Sequence, residues 1–159
     1  MKVKRNIQSV ICIAIILLNL PLLFTSCDKS LAKTNVSEFE NNKWDKNKPV
    51  TLQMNVLETI SNKRLVLKLN HVYGFQLDKL PVVILMTAPD GKSSTYEKTI
   101  VFKTEKGEDI ADCSGDYCDL STTIDQGISF SKGTYSFKIA YNLSYETIPN
   151  IMAISLFVE

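Results

Sequence analysis

Among its 159 residues the chain has one histidine, His71, and that scarcity removes most familiar catalytic arrangements at the outset. A Ser-His-Asp or Cys-His system would have to use His71. It lies in the strand-like Leu69-Asn70-His71-Val72-Tyr73, where a histidine is far more often packed or surface-exposed than a base. A zinc site needs further Cys or His ligands that the sequence does not supply. HExxH, a phosphate-cradling glycine loop and a dinucleotide fingerprint are also missing. No segment beyond the first apolar run carries a 3.6-residue period, and there is neither an internal repeat nor a low-complexity tract. Catalytic residues, metal ligands and cofactors are therefore not expected, and the chain reads as a non-enzyme.

What is present begins with Val10 to Leu23, the one long apolar run. It is preceded by Lys2, Lys4 and Arg5 and closed by Leu22-Leu23-Phe24-Thr25-Ser26-Cys27. A basic head, a short apolar stretch and small residues at a cut site make a secretory signal. A cysteine directly after Thr-Ser is what a lipoprotein signal peptidase needs, with Phe24 standing where Leu is commoner. Read as a membrane helix, the run falls short of the about 20 apolar residues wanted, and Asn19 and Pro21 interrupt it. Residues 1–26 are thus expected to leave, and Cys27 to carry the lipid. Their removal takes three basic residues and no acidic one, leaving 15 Lys and Arg against 17 Asp and Glu. No basic patch suggests nucleic acid. Attachment to the membrane is through lipid, at about 0.8 kcal/mol per buried methylene.

Of four cysteines, Cys12 goes with the signal and Cys27 with the lipid, leaving Cys113-Ser-Gly-Asp-Tyr-Cys118. In an oxidising envelope compartment a structural disulfide is the expected state of that pair. A redox dithiol would have two intervening residues on a helix N-terminus, where this stretch has four in a turn. The acids around it, Glu108, Asp109, Asp112, Asp116 and Asp119, do not match the alternating ligands of the common calcium loop and read as solvated, with calcium left open.

Asp28 to Lys43 is polar and without period, and residues 27–43 read as a flexible tether spanning on the order of 20 Å. No acidic run follows Cys27, which points to the inner leaflet of the outer membrane, facing the periplasm. The folded domain is expected over 44–159. Strand alternation is plain in Val50–Val56, Leu65–Leu69, Tyr135–Tyr141 and Ile154–Val158. Pro81–Met86 is a short apolar run suited to a buried strand, and Pro89-Asp90-Gly91 is a turn into Thr95–Phe102. Near Ile124–Phe130 the pair Gln126-Gly127 is expected to break any long strand. About seven short strands argue for a single antiparallel β-sandwich, immunoglobulin-like or jelly-roll-like. Most aromatics alternate within strands and read as core. Tyr73, Phe75 and Tyr117 fall in expected loops and are the candidates for ligand contact, as in a lipid-anchored glycan- or peptide-binding module.

Taken in order, several stretches resemble the gliding-motility lipoprotein H (GldH) family. They are the signal ending at Cys27, Trp44 with Pro49-Val50, and Leu65–Tyr73. Pro89-Asp90-Gly91, Gly115-Asp116 and Gly133-Thr134-Tyr135-Ser136-Phe137-Lys138-Ile139 follow, then Ile148-Pro149-Asn150-Ile151 and Ser155-Leu156-Phe157-Val158-Glu159. Asn70-His71-Val72 and the cysteine pair stand apart from the family pattern. The resemblance implies an accessory lipoprotein of the gliding and type IX secretion apparatus, with envelope proteins as partners and no catalytic residues. Members also occur in bacteria that do not glide.

Overall fold

A computed structural model describes residues 30–159; the expected signal segment 1–26 and the expected lipid attachment at Cys27 lie outside the described residues. The described chain contains twelve strands: β1 (Ala32–Lys33), β2 (Ser37–Glu38), β3 (Lys43–Asp45), β4 (Val50–Val56), β5 (Ile60–Val72), β6 (Lys79–Thr87), β7 (Ser93–Val101), β8 (Asp112–Ser114), β9 (Tyr117–Phe130), β10 (Gly133–Tyr141), β11 (Thr147–Pro149) and β12 (Ile151–Val158). One sheet runs β1-β12-β5-β9-β8, with β2 also on β12; the other runs β4-β10-β6-β7; β3 and β11 make a small third pair. All pairings are antiparallel. From β4 through β12 the long strands alternate between the two sheets except at the β6–β7 hairpin. That is the double-sheet jelly-roll order, not the immunoglobulin one.

Alternation makes the core. Along β4, Val50, Leu52, Met54 and Val56 are buried while Thr51, Gln53 and Asn55 are exposed. Tyr135, Phe137, Ile139 and Tyr141 of β10 and Ile154, Leu156 and Val158 of β12 meet them between the sheets. Each side chain of this kind that is fully buried is worth roughly 2 kcal/mol of transfer free energy. Trp44 is buried against Phe39 and edge-on to Tyr141, with ring centroids 5.2 Å apart in both pairs.

Three expectations need correction. Gln126-Gly127 does not end a strand: β9 runs through it, and Gly127, at φ +75°, makes the bulge that shifts register against Lys63–Leu65 of β5. A glycine there is a bulge device, because only it adopts that φ without cost. The seven expected strands are twelve, the extra ones mostly two or three residues long. Finally, the part of the expected tether within the described residues is not free chain. From Leu31 to Phe39 it lies as a strap along the first sheet, with Leu31, Thr34 and Phe39 N–H groups donating to Val158, Leu156 and Met152 carbonyls at 2.8, 2.9 and 2.9 Å. Backbone pairing needs no hydrophobic alternation, so the strap left no period to read.

The strand directions give the sandwich two ends. At the lower end lie the β4–β5, β6–β7 and β9–β10 turns, the start of β1 and the finish of β12. The upper end carries the β5–β6 loop, the β8–β9 hairpin and the β3–β11 pair.

Candidate functional site

His71 is a core residue of β5. It is 3% exposed, Nδ1–H donates to the Val72 carbonyl at 2.9 Å, and Nε2 is buried with no hydrogen-bond partner among the described residues. Phe75 and Phe102 crowd it, with centroids at 5.2 and 5.4 Å, and pack on each other at 4.4 Å. Phe75 is therefore a core residue, 3% exposed, with its edge in the floor of a groove of about 260 Å³ rimmed by Tyr145, Thr147 and Pro149.

The other two aromatic candidates are exposed, but they do not converge on that groove. Tyr73 sits one position past the end of β5, its N–H donating to the Asp116 carbonyl at 2.9 Å. Tyr117 opens β9 opposite Val72 and points away from the core. It lines a shallow channel of about 460 Å³ on the outer face of the first sheet, floored by Met152 and Ala153 of β12 and walled by Phe39 and Glu38 of the strap. A second hollow of about 240 Å³ continues down β12 past Val36, Ser155 and Phe157. The strap makes these grooves, so reading it as free tether hid them; the one visible sign was Phe39, an isolated aromatic in polar sequence.

The far wall of the channel beside Tyr117 is polar, formed by Asn70 and Asp119. Asp119 accepts a hydrogen bond from Asn70 Nδ2 and pairs with Lys68 Nζ at 2.7 Å. Cys113 and Cys118 are bonded at 2.06 Å between directly opposed positions of β8 and β9, closing the hairpin beside Tyr117. The surrounding acids spread out: Asp112 faces Asp119 across the hairpin, and Asp109 lies opposite Lys103 in an isolated backbone β-bridge. Among the described residues no three His, Cys, Asp or Glu side chains gather as metal ligands. At the upper end, burial and then the Asp45 and Glu146 carboxylates push the Tyr141 phenol above its ordinary range. Its hydroxyl donates to the Tyr145 carbonyl at 3.0 Å.

Among the described residues no helix is long and apolar enough to cross a membrane. A family model described as GldH lipoprotein matches residues 32–158. Comparison with curated proteins finds no match. Among solved structures, the Eiger TNF of S. frugiperda is similar at 10% identity and a TM-score of 0.37, over 78% of this chain and 91% of that one. A likeness that loose carries no argument about function.

Proposed function

The chain belongs to the GldH lipoprotein family, and from that premise we propose that it is a non-catalytic accessory component of the gliding and type IX secretion apparatus. In this reading lipid on Cys27 holds it in the outer membrane, facing the periplasm, and its outer surface binds an envelope protein. The family ties the chain to gliding motility and the cell envelope, and it is not a known enzyme family. The observation that carries the binding role is the channel along β12. An outer sheet face is usually polar, yet here Met152, Ala153 and Phe39 line a depression beside exposed Tyr117. Aromatic and methionine side chains on such a floor are the composition of protein contact sites.

The test is photo-crosslinking in cells from Tyr117, with Leu85, half-exposed on the opposite sheet, as the control position. Recovery of a gliding or secretion component from Tyr117 and not from Leu85 supports the reading; equal capture from both removes the channel from it. A glycan- or peptide-binding module is the second reading. Exposed Tyr73 and Tyr117 favour it, while Phe75, buried at 3% exposure, offers only an edge to the separate groove beside Tyr145. Glycan-array binding that is lost in Tyr73→Ala and Tyr117→Ala would support it, and no binding by the unaltered protein rejects it.

A further inference from the structure

The lower end of the sandwich carries apolar side chains that the fold does not use. Leu57, in the β4–β5 turn, is 76% exposed and Leu31 is 52% exposed. With Val56, Ile60 and the exposed Glu58, whose carboxylate would sit at headgroup level, they line a hollow of about 310 Å³. Leu31 is also where the strap is fastened, its N–H donating to the Val158 carbonyl at 2.8 Å. Only four residue steps separate it from Cys27, a reach of at most about 14 Å for fully extended chain.

We propose that this end of the domain rests on the lipid surface, with Leu57 and Leu31 entering the interfacial layer of the bilayer that receives the Cys27 lipid. The inference rests on the reading of Cys27 as lipidated. A tether running to Lys43 would hold the domain clear of the membrane and leave its orientation free. A strap fastened at Leu31 leaves a reach of at most about 14 Å, roughly twice the depth of a headgroup layer of about 6 Å a side, so the Leu31 end of the domain stays beside the bilayer. The end nearest the lipid is the end with the exposed leucines, and the channel beside Tyr117 opens on a side wall and the upper half. Lys132, exposed in the neighbouring β9–β10 turn, suits a headgroup layer.

The lipidated full-length product would be reconstituted in vesicles of phosphatidylethanolamine and phosphatidylglycerol. Leu57→Cys and, separately, Tyr145→Cys at the upper end would carry an environment-sensitive fluorophore. Mass spectrometry of the Cys27 peptide establishes the lipid independently of the probe. With lipid present, a blue shift at position 57 and quenching by spin-labelled lipid, with neither at position 145, is the expected result. Lipid present with a silent probe at 57, or with equal quenching at both ends, overturns the orientation and leaves lipidation standing. A blue shift at 57 without lipid quenching overturns it in favour of a second copy or another protein on that patch. A Cys27 peptide without lipid removes both. Leu31→Cys repeats the measurement should the turn variant misfold.

Discussion

Replacing Thr34 by Val tests whether the strap is structure or leash. Thr34 is 6% exposed; its Oγ1 accepts from the Leu156 N–H at 3.0 Å and donates to the Asn35 carbonyl at 2.7 Å. Its own N–H donates to the Leu156 carbonyl at 2.9 Å, and it bridges to Met54 of β4. One residue therefore fastens the strap to both sheets. Valine keeps the shape and the backbone bonds but removes the acceptor, leaving the Leu156 N–H unsatisfied beside a side chain that is 0% exposed. An orphaned buried donor costs about 1–3 kcal/mol. With a urea dependence of about 1–3 kcal/mol per molar, the midpoint should fall by roughly 1 M. Mature protein with Cys27→Ser, unfolded in urea and followed by Trp44 fluorescence, measures this directly. Trp44 is itself packed against Phe39 of the strap at 5.2 Å, so the probe reports the affected region. Limited proteolysis near Leu31–Asn35 should accelerate in parallel. A midpoint unchanged within error, with the strap cleaved equally fast in both proteins, would refute the claim that it belongs to the fold.

Other outcomes follow from the same structure. Opening the Cys113–Cys118 bond with reductant, or by Cys113→Ser with Cys118→Ser, should cost about 2 kcal/mol from ring closure; identical melting with and without reductant would count against a stabilising bond. Gly133→Ala should destabilise more than Gly127→Ala. Both glycines have positive φ, but a Cβ at 133 lands 2.6 Å from Pro89 Cγ, whereas at 127 its nearest neighbour is Asn62 Oδ1 at 3.6 Å. Thermal melts of the pair check the order. Burial raises the Tyr96 and Tyr141 phenols above the ordinary 10.0, with Asp125 adding to the first and Asp45 and Glu146 to the second. A folded-state value above the unfolded one stabilises below about pH 10 and is lost as pH climbs through the folded value. Stability should thus drop on the alkaline side of 10, and the tyrosinate absorbance removed by Tyr96→Phe and Tyr141→Phe should be absorbance that rises above that pH. Tyr117→Ala, at an exposed site, should leave the melting temperature within a degree or so of the parent; a larger drop in a thermal melt would mean that the side chain serves the fold and not the surface.

Much of the sandwich was legible in advance because a strand buried on one face must alternate: Val50–Val56 and Tyr135–Tyr141 show it residue by residue. Pro89-Asp90-Gly91 was legible for a different reason, since its turn is made locally; Asp90 Oδ1 accepts the Lys92 N–H at 3.1 Å, and Gly91 has φ +83°. Long-range pairings were not legible. Phe75 looks like a loop aromatic in sequence, and only the approach of Phe102 and His71 makes it core.

By itself, then, the sequence determined the all-β character, the scarcity of catalytic groups and the cysteine pair as candidates for bonding, because these depend on composition and on contacts between near neighbours. Tertiary structure decided which strands are adjacent, and hence jelly roll over immunoglobulin order. It also decided the fate of residues 31–39, whose partners lie more than a hundred residues away on β12. Main-chain donors and acceptors are the same at every residue, so pairing through them leaves no mark in the side chains.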